Sequence, residues 1–193
     1  MSVLAIDTSS RRRVVAVLAG RDGALQRAEV RGDAPVGVVL PRMVVELLHH
    51  DVEAVVVATG PGSYTGLRAG MAAALGAARG RAVPLHGIGS LEVVAAGWRA
   101  DGVARGCVAV DAGRGFAHVA VCHAGPDGWR LDGAHRVAID AAELRGAAVA
   151  STDDLPVPGV IAVDPAAALA AAVPRALGAP ALTPRGLAAQ YVE

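Results

Sequence analysis

Few backbones can carry the stretch from Ala58 to Gly70, which reads Ala-Thr-Gly-Pro-Gly-Ser-Tyr-Thr-Gly-Leu-Arg-Ala-Gly. The β-branched run Val55-Val56-Val57 leads into it, and Leu67, Met71 and Leu75 follow at helical spacing. Between them, Gly60 and Gly62 reach backbone angles that other residues resist, and Pro61 stiffens the turn. The spacing predicts a strand, a tight turn and a helix, with Ser63 or Thr65 placed to cap the first free helical N–H groups.

Three chemistries associated with such turns do not fit. A P-loop requires Lys after its second glycine, and this chain contains no Lys. A nucleophile elbow requires glycines two residues either side of the Ser, where Ser63 has Pro61 and Thr65. A dinucleotide fingerprint requires an acid at the end of the next strand, where Val83 to Gly89 offers none. From the residues alone, the stretch is a strand-to-helix turn of an α/β domain.

The chain has 193 residues, 53% of them hydrophobic and 19% charged, enough for a substantial core. Eighteen basic and 18 acidic side chains cancel, which argues against strong unaided binding to nucleic acid or an anionic membrane. The start, Met1-Ser2-Val3-Leu4-Ala5-Ile6-Asp7, lacks a basic n-region and a long h-region, and no apolar run is long enough for a membrane helix. The expected location is cytoplasmic. Cys107 and Cys122 are then expected as reduced, buried thiols.

Strands are predicted over Val3–Ile6, Val14–Ala19, Leu25–Arg31, Glu53–Thr59 and Ala82–His86. Helices are predicted over Val36–His50, over Thr65–Arg79, and from a cap at Ser90 to about Trp98. Pro41 either starts the first helix near Leu40 or kinks it. After Ala100-Asp101-Gly102 the pattern recurs. Ala5-Ile6-Asp7 is echoed by Ala109-Val110-Asp111, and Val15-Ala16-Val17 by Val119-Ala120-Val121, both at an offset of 104; Asp22-Gly23 returns as Asp127-Gly128. A short helix over Ala141–Arg145, a strand over Val160–Val163 and a helix over Pro165–Val173 complete the second half. The expected fold is α/β of the actin, Hsp70 and sugar-kinase (ASKHA) class. It has two ribonuclease-H-like halves, residues 1–100 and 101–193, each opening with three meandering strands.

With the turn, the repeat and the strand order in hand, the chain resembles the TsaB (YeaZ) family of tRNA threonylcarbamoyladenosine synthesis. The most specific match is Gly60-Pro61-Gly62-Ser63-Tyr64-Thr65-Gly66-Leu67-Arg68, where the family carries Phe in place of Tyr64. Leu4 to Ser9, the Pro84-Gly87-Ser90-Leu91-Glu92 segment, Val110 to Gly115 and the terminal Tyr191-Val192 also resemble family motifs. The likeness covers nearly all of the first 122 residues and is thin from Gly125 to Ala188. The chain is also shorter than is usual in the family, and Val36-Gly37 replaces polar residues at its first helix.

The resemblance implies a non-catalytic partner of TsaD, the subunit that transfers threonylcarbamoyl to N6 of the adenosine 3′ of the anticodon. It further implies TsaE as a second partner, tRNA contact through the complex, and a homodimer when TsaD is absent. No cofactor is expected to bind this chain tightly by itself; ATP or ADP and Mg²⁺ are admitted only at the level of the complex. The residues agree with a non-enzymatic role. The first turn, Asp7-Thr8-Ser9-Ser10, lacks the glycine of phosphate-binding hairpins, and Asp111-Ala112-Gly113 lacks an adjacent hydroxyl. None of the six His residues, 49, 50, 86, 118, 123 and 135, lies three or four from another, so no helical metal pair exists. Asp7 and Asp111 either cap their own turns or face one cleft and hold Mg²⁺. The Arg11–Arg13 run is a solvated hairpin face or a contact for phosphate or an acidic partner.

Gly66, Gly70, Ala74 and Ala78 recur every four residues, a ridge that lets another helix approach closely. The resemblance implies that the first two helices of each partner form a four-helix interface. The expected interface is Leu40, Met43, Val44 and Leu47 with Gly70, Met71, Ala74 and Leu75. The rival readings are a small ASKHA ATPase or kinase, a peptidase-like (M22-type) protein, and a structural dimer with an unrelated partner.

Overall fold

The computed structural model describes residues 1–32, 34–48, 51–99, 102–126, 128–141, 144–145 and 147–190. His49, His50, Asp127 and the terminal Tyr191-Val192 lie outside the described residues, as do Ala100 and Asp101 of the junction between the halves. The elements run β1 (Ser2–Asp7), β2 (Arg13–Ala19), β3 (Leu25–Gly32), α1 (Val36–Leu47), β4 (Val52–Gly60), α2 (Tyr64–Arg81), β5 (Leu85–Gly89) and α3 (Ser90–Gly97). They continue with β6 (Arg105–Gly113), β7 (Phe116–Gly125), β8 (Gly128–Ala138), β9 (Val149–Ser151), β10 (Ile161–Ala162), α4 (Pro165–Ala171) and α5 (Val173–Gly178).

Two five-stranded sheets have matching topology. The first is ordered β3-β2-β1-β4-β5 and the second, read from its far edge, β8-β7-β6-β9-β10. In each, the opening strand pairs antiparallel with the meander on one side and parallel with the later strands on the other. This doubled α/β arrangement is the ASKHA fold. The constant offset of 104 is not, however, the structural offset in the second strand of each half. Asp7 pairs with Val15, whereas Asp111 pairs with Ala117. The second hairpin is two residues shorter, so the Val-Ala-Val echo is displaced by two from true equivalence.

The layers follow from the apolar patterning. Alternate residues of the first sheet, among them Leu4, Ile6, Val55 and Val57, pack under α1 and α2. The opposite residues, including Val3, Val15, Val17 and Val56, join α3, α4, α5 and the near face of the second sheet in the central core. The outer face of the second sheet is covered by loops carrying Leu144, Leu155 and Val157. Cys122 points into the central core and Cys107 into the outer cluster, so the sheet separates the two free thiols. Burial, then the nearby Cys107, pushes the Cys122 thiol up to about 11. No helix among the described residues is long and apolar enough to cross a membrane.

Several local expectations shift. Pro41 sits inside α1. The carbonyl it deprives of a partner is that of Gly37, and both residues are exposed, so water can serve it. The fifth strand starts at Leu85 rather than Ala82, because Ala82 turns left-handed (φ 54°) to end α2. Ser90 does not cap α3. The N-cap is Gly89, whose N–H donates to Glu92 Oε2 at 2.9 Å, and Ser90 Oγ is buried without a partner among the described residues. The strand expected over Val160–Val163 shrinks to β10. The helix expected over Pro165–Val173 ends at Ala171, and Pro174 sits in the first turn of a further helix, α5. Of the short helix expected over Ala141–Arg145, residues 142 and 143 lie outside the described residues.

The expected interface needs the largest correction. Leu40, Met43, Val44 and Leu47 are buried on this chain's own sheet, as are Gly70, Met71 and Ala74; Leu75 is half-buried against the same core. The apolar stripe of each helix is the face that the sheet requires, and it is not free for a partner. The outward faces are different residues. Val38 is 61% and Val45 76% exposed on α1, beside exposed Pro41, while Ala72, Gly76 and Gly80 face out on α2. We expect Leu47→Ala to cost about 2–5 kcal/mol of stability, as a cavity under α1. Val45→Ala should stay within about 0.5 kcal/mol. Urea midpoints of the two variants check this ordering.

Candidate functional site

The motif turn and the first acidic turn form one unit. The helix start of α2 lies directly on the β1–β2 turn. A β-carbon on Gly62 would stand 2.6 Å from the Ser9 carbonyl oxygen, one on Gly66 would strike the Thr8 carbonyl oxygen, and one on Gly70 would strike Thr8 Oγ1. These glycines therefore serve close backbone approach. Hydrogen bonds fasten the contact: Thr8 Oγ1 donates to the Gly66 carbonyl at 2.7 Å, and the Ser63 N–H donates to the Ser9 carbonyl at 2.7 Å. Ser63 caps α2 by accepting from the Gly66 N–H at 3.3 Å.

Of the remaining motif residues, Pro61 is buried, and Thr65 and Arg68 are exposed. The Arg68 guanidinium lies 5.2 Å from the Tyr64 ring centroid and donates to the Tyr64 hydroxyl. Gly60 is left-handed at φ 111°. The Gln190 carbonyl oxygen stands 2.6 Å from where its β-carbon would be, and the Gln190 N–H donates to the Thr59 carbonyl at 2.7 Å. The end of the described chain thus returns across the motif strand, a contact that the sequence reading missed because Gln190 carries no pattern.

Asp7 and Asp111 occupy matching ends of β1 and β6 and do the same local work. Asp7 Oδ1 accepts from the Ser9 N–H at 2.8 Å, and Asp111 Oδ1 accepts from the Gly113 N–H at 2.7 Å. What joins them is Asp153, which the sequence reading passed over in a Pro-rich loop. Its Oδ2 accepts from the Asp111 N–H at 2.9 Å, and its Oδ1 faces Arg13 Nη2 at 3.2 Å. Its own N–H donates to Ser151 Oγ at 3.0 Å. Arg13 and Asp153 therefore link the first half to the second across the cleft floor. The signal in the sequence was the Ser151-Thr152-Asp153-Asp154 run directly after a short apolar strand.

On the first turn the Thr8 hydroxyl and the Ser9 N–H and carbonyl are already hydrogen-bonded within the protein. Asp7 is buried, and burial raises its carboxyl above the usual range, opposed by its hydrogen bonds to Ser9 and by Arg13. Among the described residues, no three His, Cys, Asp or Glu side chains group to hold a metal ion. His118, buried on β7, has an Nδ1 without a partner among the described residues, and burial lowers its pKa. Above the floor a cavity of about 510 Å³ opens between the halves, lined by Arg11, Arg12, Arg13, Asp111, Arg114 and Asp153 among others.

The model of the family described as TsaD: tRNA N6-adenosine threonylcarbamoyltransferase matches residues 43–183. The chain belongs to this family, as a TsaB-type member. The Escherichia coli (strain K12) tRNA threonylcarbamoyladenosine biosynthesis protein TsaB is 41% identical over 66 residues, 34% of this chain and 29% of that protein. An uncharacterized protein of Mycobacterium leprae is 37% identical over 102 residues, 48% of this chain and 28% of that protein. The chain thus spans less than a third of the length of these two curated relatives. YeaZ from Pseudomonas aeruginosa has the same fold, with a TM-score of 0.71 at 22% identity over 99% of both chains.

The raised carboxyl of Asp7 has a testable consequence. Folded, it holds its proton more tightly than in the unfolded chain, where the value is the ordinary 3.8. Its contribution to stability therefore falls as pH rises from the unfolded value through the folded one. Asp7→Asn keeps an acceptor for the Ser9 N–H and removes the charge. The Tm of Asp7→Asn minus that of the unmodified protein should grow as the pH is raised from about 4. A flat or falling difference would show that attraction to Arg13 outweighs burial.

Proposed function

We propose that the chain is a non-catalytic subunit of the assembly that forms N6-threonylcarbamoyladenosine in tRNA, paired with a TsaD-type subunit. The observation that carries this reading is the outer face of α1 and α2. Both helices lie on one side of the first sheet, and their outward residues are apolar or minimal: Val38, Pro41 and Val45 on α1, Ala72, Gly76 and Gly80 on α2. A β-carbon on Gly76 or Gly80 would meet nothing within 4 Å. Exposed valines beside a shallow small-residue ridge suit a second pair of helices. A homologous subunit presents that geometry, and so does a second copy of this chain when the subunit is absent.

The internal bonding of the first turn supports the absence of catalysis, since Thr8 and Ser9 hold α2 rather than a phosphate. In this reading ATP or ADP with Mg²⁺ belongs to the assembled complex. TsaE, the small ATPase of the system, then joins the pair, and tRNA is engaged by the whole. The reading also fits a cytoplasmic site of action. Peptidase and stand-alone kinase readings have no constellation among the described residues to carry them.

Size-exclusion chromatography with light scattering tests this on the full chain mixed with the TsaD-type subunit of the same organism. A heteromeric complex is expected. Val45→Asp and Ala72→Arg should each weaken it by about tenfold or more, since each places a charge in the apolar contact, and both variants should melt like the unmodified protein. If no complex forms with ATP supplied, the reading is wrong. A complex indifferent to both variants keeps the partnership and moves the interface elsewhere.

A further inference from the structure

The cleft between the halves has a mouth that differs from its floor. The floor holds Arg13, Asp153, Asp111 and Ser151, already described, with Arg13 Nε buried and without a partner among the described residues. The mouth carries Arg11 and Arg12 on the β1–β2 turn and Arg114 on the β6–β7 turn, all exposed. No ion pair engages these three guanidinium groups among the described residues, whereas Arg13, Arg21, Arg27, Arg31 and Arg175 each face a carboxylate. The two turns touch: a β-carbon on Gly113 would lie 2.6 Å from Arg11 Nε. Arg11 therefore rests on the turn that carries Arg114, and cations from both halves gather on one rim.

Arg114 stands out for its backbone. It is left-handed at φ 57°, followed by Gly115 at φ 78°, in the two-residue loop of a hairpin. Asn, Asp or Gly usually takes that position, and a long side chain is held there against its preference. Strain of this kind concentrates where a side chain must be presented. The loop aims Arg114 outward at the tip of the second half, opposite Arg11 and Arg12.

We propose that this rim binds phosphates of an RNA backbone. Arginine forks match phosphate oxygens, and cations spread over two lips suit phosphates that recur along a strand. A free nucleotide fits less well. The cavity lining holds no aromatic ring for a base, and Asp111, Asp153 and the exposed Asp154 repel a phosphate chain reaching inward. The chain's zero net charge is an average over its surface, and it does not cancel this local cluster. The inference rests on the tRNA-modifying reading above and names the part of the chain that meets the RNA.

The test is fluorescence anisotropy of a labelled anticodon stem-loop RNA with the full chain, at several salt concentrations starting low. Arg11→Ala with Arg114→Ala should weaken binding about tenfold or more. It should also shrink the slope of log affinity against log salt by about 1 to 2. The control pair Arg21→Ala with Arg130→Ala lies at the opposite hairpin ends and should change neither by more than about twofold. Arg114→Ala alone, whose side chain makes no hydrogen bond or ion pair among the described residues, should carry about half of the slope change. Equal losses in the cleft and control pairs overturn the proposal. So does an unmodified chain that fails to bind the RNA at low salt, or one that binds ATP–Mg²⁺ or inorganic phosphate while ignoring the RNA. The cleft pair should still form the complex with the TsaD-type subunit. A lost complex in the interface assay with intact RNA binding here would fault the partnership alone.

Discussion

The close approach of α2 to the β1–β2 turn is the contact on which the first half depends. At Gly62, Gly66 and Gly70 there is no room for a side chain, because the Thr8–Ser9 backbone occupies it at the first two and the Thr8 side chain at the third. Bringing a helix start this near to a hairpin leaves polar backbone groups that water cannot reach. There the Thr8 hydroxyl donates to the Gly66 carbonyl, and the Ser63 N–H donates to the Ser9 carbonyl. The motif is thus first a packing device, and its Gly-rich character follows from the geometry of approach.

This contact also fixes where the donors of the turn point. In a fold whose hairpin turns can cradle phosphate, the groups that would do so must point into the cleft with free N–H and hydroxyl donors. Here the Thr8 hydroxyl is turned to the Gly66 carbonyl of α2, and the Ser9 N–H to Asp7 Oδ1. The cleft floor is then left to Arg13 and Asp153, one from each half, and a protein pair of charges bridges the space between the sheets. Outside that pair lie two surfaces of different character, the outer face of α1 and α2 and the arginine rim. The first is apolar and shallow, the second cationic and divided between the halves.

The sequence separated the two faces of α1 only in part. Its apolar residues at 36, 40, 44, 47 and 48 mark a stripe, but Val38, Pro41 and Val45 lie outside that stripe and are apolar too. Periodicity shows which residues are apolar together; it does not show which side a sheet will occupy. Since the sheet needs the denser stripe, the valines left over are those a partner can meet. The small residues of α2 extend round most of the helix for the same reason, and only the packed sheet shows that Gly66 and Gly70 face inward while Gly76 and Gly80 face out.

The sequence by itself determined the elements with strong local signals. They are the strand–turn–helix at Ala58–Gly70, the three-strand openings of both halves, and the two aspartates at equivalent strand ends. The individual elements rest on residue spacing within about ten positions, where backbone preference and apolar period act directly, and the match of the two aspartates rests on the repeat at an offset of 104. The tertiary structure alone decided three things. It set the true equivalence of the second strands, because hairpin length rather than sequence echo fixes register. It brought Asp153 to Arg13 and Arg114 to Arg11 across more than a hundred residues. It also chose which helix faces the core consumes. Each depends on contacts distant in the chain, whose partners are selected by packing and carry no mark in the local sequence.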